Sequence, residues 1–501
     1  MLVAFRSATV GEFSIAVVRP RDLRERHFRG SERRQSTMDR LTQYIRNAVY
    51  VVLVLLISPW LILQSIRNGK YREGFAAKFL GRVPVRNNAR PCIWLHAVSV
   101  GEVNIVATLI PMLRQRWPGH DLYITTTTTS GYRLARKKFA EWKVSYAPLD
   151  FSWAIRTAMQ RIRPSALILM ELELWPNLIG IASGQSVPVA IVNGRLSEKS
   201  HAGYQRIRRL IAPSLHRVDL IAAQNDEYAS RFLSLGARAN RVMVTGNVKF
   251  DSVEFDRSNP RTESLRRLAG IGPAHRVFVA GSTQAPEEQV ALAAWQRVAA
   301  VNPDLWLLIV PRHPERFDEV ARLLDESGLP WRRRSQVDGK GGDVASRLQP
   351  AVESLSRILL VDTIGELAAW WGVADVAFVG GSLGDRGGQN MIEPAAFGAA
   401  VCFGPNTKNF RDVTESLIAG SAAAVVRDAN GMATFLGEHL TDRDANPEST
   451  MGGRASRLVQ SQAGATEATG DALARFVLPN ADVSTGRFDA PLQSFSTRMR
   501  A

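Results

Sequence analysis

The residues of this chain best suited to chemistry are acids placed where apolar, strand-like runs give way to helix-like ones. Glu102 lies in "LHAVSVGEV" (residues 95–103), between the run Cys92–Ala97 and the apolar run Val103–Leu113, with Gly101 before it for a tight turn. After the run Ala166–Met170 comes "ELELWPN", which sets Glu171 and Glu173 at i and i+2 beside Trp175 and Pro176. One Glu in a first helical turn is explained by the helix dipole, worth about 0.3–1 kcal/mol. Two more carboxylates at a second strand end are not. The hydroxyl-rich "TTTTSGY" follows Leu122–Thr125 and is able to donate to a polar ligand. "NGRLSEKS", with Asn193, Arg195, Ser197 and Lys199, follows Pro188–Val192. Carboxylates, hydroxyls and cations together suit a polyhydroxylated, anionic acceptor whose hydroxyl proton a carboxylate can take.

The second half of the chain carries different residues at its strand ends. "GSTQAPEE" follows Arg276–Ala280, and "PRHPERF" follows Leu305–Val310 with Arg312, His313 and Arg316. "GGSLGDRGGQNMIEP" follows Val376–Val379. Gly380, Gly381 and Ser382 are expected to expose backbone N–H groups. Gly387 and Gly388 are expected to open a helix through Gln389 and Asn390. Such a loop suits a phosphate without a metal. Arg312 is placed to pair with that phosphate, and Glu393 to bind ribose hydroxyls. No G-x-x-x-x-G-K-[ST], no G-x-G-x-x-G with a ribose acid, no H-E-x-x-H and no Cys/His cluster is present. A lone histidine such as His96 reads as a core or supporting residue rather than a ligand.

Short apolar runs alternate with helix-length stretches from Cys92 to Phe403, which predicts parallel sheets covered on both faces. Polar, turn-rich text near Phe250–Pro273 predicts the boundary between two Rossmann-like halves. The expected organisation is a disordered basic tail over 1–40, a membrane helix over 44–66, a first Rossmann-like half over 67–250 and a linker over 251–272. A second Rossmann-like half over 273–477 and a disordered tail over 478–501 complete it. The first 37 residues are arginine-rich and precede a second methionine, Met38, so a mis-assigned start is the other reading of that tail. From Asn47 to Ile66 the chain carries no charge, a length that spans a hydrocarbon core, flanked by Arg46, Arg67, Lys70 and Arg72. The 501 residues carry a net charge of +16, which favours nucleic acid, an anionic membrane surface or phosphorylated substrates without choosing among them. Cys92 and Cys402, each inside an apolar run, read as buried small hydrophobes.

The ordered set "HAVSVGEV", "ELELWPNLI", "NGRLSEKS", "TGNVKFD", "AGSTQAPEE", "PRHPERF", "GGQNMIEPAAFG" and "GPNTKNFRD" closely resembles the 3-deoxy-D-manno-octulosonic acid (Kdo) transferases of lipopolysaccharide synthesis. The resemblance implies an α/β GT-B fold, with an acceptor domain and a donor domain facing a cleft. It implies an inverting transfer of Kdo from CMP-Kdo to a lipid A precursor at the cytoplasmic face of the inner membrane. No metal, no other cofactor and no nucleic acid is expected. Glu102 matches the catalytic carboxylate, and Glu171 and Glu173 match a second acidic motif, with the choice between those two open. Arg312, Gly380, Gly381, Ser382, Asn390 and Glu393 are the expected donor-binding residues. Ser99, Arg195 and Lys199 are those expected for the acceptor. One departure stands out: the family usually has His after "GST", and Gln284-Ala285-Pro286 stand here before Glu287. The rival readings are a GT-B sugar-nucleotide epimerase, a UDP-sugar transferase such as a lipid A disaccharide synthase, and a basic membrane-surface binding module.

Overall fold

The computed structural model describes residues 42–59, 63, 67, 73–337, 356–442, 446 and 448–478. The expected tails over 1–40 and, beyond Leu478, to 501 lie outside the described residues. The chain divides into two compact units, residues 1–244 with 469–501, and residues 245–468.

The first unit holds seven parallel strands: β1 (Cys92–His96), β2 (Asp121–Thr126), β3 (Lys143–Tyr146), β4 (Ala166–Met170), β5 (Val189–Gly194), β6 (Leu220–Ala223) and β7 (Val242–Val244). Their order is β3-β2-β1-β4-β5-β6-β7. The chain starts in the middle, at β1, builds outward to β3, then returns to β4 on the other side of β1. The gap between β1 and β4 is therefore the topological switch point, where helices depart to opposite faces and leave a crevice at the carboxyl ends. Glu102 follows β1, and Glu171 and Glu173 follow β4. The three acids thus meet because the strand order brings two distant chain segments together.

The strands of the second unit are β8 (Arg276–Thr283), β9 (Leu305–Pro311), β10 (Trp331–Arg333), β11 (Ile358–Leu360), β12 (Val376–Val379), β13 (Ala400–Phe403) and β14 (Ala423–Val425). Their order is β10-β11-β9-β8-β12-β13-β14, all parallel. This unit also starts at a central strand and later crosses to its other side, with β11 inserted between β9 and the edge strand β10. Both faces are apolar. Val277, Val279, Ala377 and Val379 pack in one core, while Phe278, Ala280, Val376 and Phe378 pack in the other. That alternation is the two-residue period of a strand buried on both sides. Cys92 and Cys402 are buried free thiols in strands.

Three sequence boundaries move. The segment 251–272 is not a linker. It contains the helix Pro260–Ala269, and Arg257 donates to Gly372 O and Ala374 O while Thr262 Oγ1 donates to Ala369 O, all within the second unit. Residues from Thr469 count with the first unit, where Arg116 pairs with Asp471 and Trp117 Nε1 donates to Leu478 O. The second unit therefore ends before 477. The apolar helix is described over Thr42–Pro59, and its early turn is fixed to protein rather than free for lipid. Asn47 is buried: its Nδ2 donates to Ser152 Oγ at 2.7 Å and its Oδ1 accepts from Ser152 N and Asn177 Nδ2. Further along, Val52, Leu55 and Leu56 are exposed.

Candidate active site

Ser99 is the N-cap of the helix Val100–Arg116, accepting from Glu102 N. Glu102 reaches back as in an S-x-x-E capping box, but to Val98 N and the Ser99 hydroxyl rather than to the backbone N–H of the N-cap. Its Oε1 accepts from Ser99 Oγ at 2.9 Å and its Oε2 from Val98 N at 2.7 Å. The hydroxyl-rich turn serves the same purpose. Thr126 Oγ1 and Thr128 Oγ1 both donate to Val98 O at 3.1 Å, so Val98 is held through its carbonyl and offers its N–H to Glu102. The expected ligand-donating role of these threonines is replaced by turn-building. Likewise the Ser99 hydroxyl, expected to bind acceptor, is committed to the cap and to Glu102.

Glu102 is only 7% exposed. Burial pushes its carboxyl up to about 7, reinforced by the negative charges of Glu173 and Glu171, against the lowering effect of the Val98 and Ser99 hydrogen bonds. Burial also raises Glu173, with Glu171 adding to the effect and the Trp175 hydrogen bond opposing it. Trp175 Nε1 donates to Glu173 Oε2 at 2.6 Å, and its ring meets His96 edge-on with centroids 5.5 Å apart. Glu171 adopts a left-handed φ of 51°, a strained conformation for a long side chain and one that clusters at functional sites. Asn193, at the irregular end of β5, does the same with φ 54°. Arg195 is partly buried after β5, and Lys199 is exposed on the helix Glu198–Arg206.

His96 is buried, with Nδ1 at 3.0 Å from Thr125 Oγ1 and Nε2 without a protein partner. Burial holds its pKa down at about 4, so the ring is neutral. It supports Trp175, in line with its reading as a supporting residue. Sequence reasoning passed over Asp150, which organises the start of the helix Pro176–Gly184. Asp150 Oδ1 accepts from Leu178 N and Oδ2 from Asn177 N, and burial pushes it up to about 7. An Asp just before a buried aromatic, one strand upstream of "ELELWPN", was the signal available.

The second unit corrects the expected phosphate cradle. The N–H groups of Gly381, Ser382 and Leu383 are not open to a ligand, because Glu287 takes them. Glu287 Oε2 accepts from Gln284 N and Gly381 N at 2.9 and 2.7 Å, and Oε1 from Ser382 N and Leu383 N at 2.8 and 2.9 Å. Gly380 N is spent on Gly281 O within the sheet. Gly380 is needed for closeness: a Cβ there would lie 2.6 Å from Ser282 O and 2.7 Å from Glu287 Oε2. The segment after Gly387 and Gly388 also differs from expectation. It forms only the five-residue helix Ile392–Ala396.

What remains at this mouth is Arg312 and its neighbours. Arg312 is exposed after β9 and near enough to Glu393 to lower its pKa, although burial wins and leaves Glu393 raised. Asn390 Nδ2 donates to Glu393 Oε1 at 3.0 Å, and Asn390 Oδ1 accepts from Ile392 N. Arg312, Asn390 and Glu393 therefore come together. Arg316 is tied down instead by Glu288, with Nη1 and Nη2 at 2.5 and 3.2 Å from its two oxygens.

The family described as "3-Deoxy-D-manno-octulosonic-acid transferase (kdotransferase)" matches residues 71–252. The 3-deoxy-D-manno-octulosonic acid transferase of Bordetella pertussis is 34% identical, over 84% of this chain and 96% of its own length. That of Haemophilus influenzae is 32% identical, over 74% of this chain and 84% of its own. A solved glycosyltransferase from Rickettsia africae aligns with TM-score 0.51 and 10% identity over 79% of this chain and all of its own, which shows the shared two-domain fold alone. Relatives this similar, matched along nearly their whole length, establish that the chain belongs to the Kdo transferase family of GT-B glycosyltransferases.

Proposed function

We infer that the protein is an inverting glycosyltransferase that moves Kdo from CMP-Kdo to a hydroxyl of a lipid A precursor. Glu102 is the general base. It takes the acceptor hydroxyl proton as the oxygen bonds to C2 of Kdo and the bond from C2 to the CMP phosphate breaks. One base and direct displacement give inversion at C2. The observation that carries this reading is a buried carboxylate with two donors only, at the switch-point crevice, beside two further acids. A pKa near 7 suits a base working near neutrality. Glu173, held by Trp175, acts by keeping Glu102 basic.

The leaving CMP phosphate gains negative charge, and Arg312 is the cation suited to meet it. Glu393, fixed by Asn390, suits the ribose hydroxyls. The Gly380–Ser382 bend holds this arrangement in shape through Glu287. Arg195 and Lys199 suit the phosphates of the acceptor. The apolar helix suits insertion into the inner membrane, with both domains on the cytoplasmic side and basic residues meeting anionic lipid.

The test is an assay with CMP-Kdo and a tetra-acylated lipid A precursor, the product mass counting the sugars added. Transfer by the wild type is expected, with Glu102→Ala slower by about 100-fold or more. No product from the wild type, or full turnover by the variant, would contradict the reading.

A further inference from the structure

A cavity of about 360 Å³ lies in the first unit between the apolar helix and the second acidic motif. Its volume falls in the range of ligand pockets. Leu53 and Val54 of the helix form one wall, Leu149 and Phe151 another, and Leu174 and Trp175 the third. Leu53 is 47% exposed, so the cavity opens along the face of the helix, where Val52, Leu55 and Leu56 are exposed as well. Asp150 also lines it, with three of the roughly four lone-pair sites of its carboxylate already filled. Its oxygens accept from Leu178 N, Asn177 N and Tyr50 Oη. The lining thus suits a hydrocarbon chain and not a phosphate or sugar.

Trp175 makes the connection to chemistry. The side chain that lines the cavity is the one whose indole N–H donates to Glu173 at 2.6 Å. An apolar ligand seated there lies against the residue that fixes the acid next to Glu102. We propose that this cavity takes one acyl chain of the lipid acceptor and thereby sets the acceptor hydroxyl at the height of Glu102. The proposal rests on the lipid acceptor of the previous section. A chain leaving a bilayer for an equally apolar cavity gains little by transfer. The benefit is positioning, and it belongs in kcat/KM for the acylated acceptor.

The experiment uses the full chain in phosphatidylethanolamine–phosphatidylglycerol vesicles. A lipid A precursor carrying a diazirine in one acyl chain is photolysed, and labelled peptides are mapped by mass spectrometry. Label is expected in 149–151 and 174–176, with competition by unlabelled precursor. Val54→Trp, which fills the cavity, should remove this label and lower the preference for acylated over deacylated acceptor by about tenfold. Val54→Ala, which enlarges the cavity, should keep the label and so show that a change at this position does not by itself unfold the site. Equal labelling by a diazirine phospholipid, uncompeted by precursor, would overturn the proposal, as would an unchanged preference in Val54→Trp. Wild-type protein that transfers Kdo to neither acceptor would overturn the acceptor reading and the proposal with it.

Discussion

Glu102 and Glu287 hold equivalent places in the two domains. Each follows the first strand of a parallel sheet, at the switch point, in the first turn of the next helix, and each is buried, at 7% and 1% exposure. Their surroundings differ. A carboxylate has about four lone-pair sites. Glu287 fills all four with backbone N–H groups, from Gln284, Gly381, Ser382 and Leu383. Glu102 receives two donors and faces two other acids. The first arrangement locks a glycine bend in shape, and the second leaves an acid able to accept a proton near pH 7. Counting donors, not identifying a glutamate, separates a structural acid from a reactive one.

The largest effect expected from breaking this contrast is on the saturated acid. Glu287→Ala leaves four buried N–H groups without a partner, at about 1–3 kcal/mol each. A loss of at least about 4 kcal/mol in denaturant unfolding, or failure of the second domain to fold, is expected. A loss under about 1 kcal/mol would mean that water replaces the carboxylate and that the bend is open to ligand after all.

Glu173→Gln sharpens the other side. Glutamine keeps an oxygen for Trp175 Nε1 but removes the charge that helps raise Glu102. The acid limb of the pH–rate profile should move to lower pH, with turnover down about tenfold. A limb that stays in place would separate Glu173 from Glu102.

Stability should carry the same signature. Glu102 and Asp150 are both raised to about 7 by burial. A raised folded-state pKa contributes stability that is complete below the unfolded value and is lost as pH rises through the folded one. The first domain should therefore be less stable at pH 8 than at pH 6. Glu102→Gln should flatten that slope. Equal slopes in wild type and Glu102→Gln would contradict the pKa assigned to Glu102.

Ser99→Ala gives the smallest change, about 1 kcal/mol of stability from the lost cap. It also removes one of the two donors to Glu102, so the acid limb should rise slightly. A raised acceptor KM with an unmoved limb would restore the acceptor-binding role expected for Ser99.

The sequence made the central strands legible because burial on both faces leaves unbroken apolar runs, as in Ala166–Met170 and Val376–Val379. Three strands escaped it: Lys143–Tyr146, Trp331–Arg333 and Ala423–Val425. All three are edge strands of three or four residues, where half the pairing and much of the apolar demand are missing. The acids at the strand ends were legible from residue type and position. The role of Glu287 was not, because its partners Gly381, Ser382 and Leu383 lie almost a hundred residues away and meet it only through the pairing of β8 with β12. The same long-range closure turned an expected open phosphate loop into a saturated one. Asn47 was hidden in the opposite sense, as a polar residue at the edge of an apolar run that docks on Ser152 and Asn177.

The most direct test of the account is the pH dependence of Kdo transfer by wild-type protein and Glu102→Gln, with CMP-Kdo affinity measured on both. Wild-type turnover should rise with pH through about 7 and then level. The variant should bind CMP-Kdo as the wild type does, turn over about 100-fold more slowly or worse, and show no rise in that range. A Glu102→Gln enzyme with wild-type turnover and the same limb near 7 would contradict the assignment of the base.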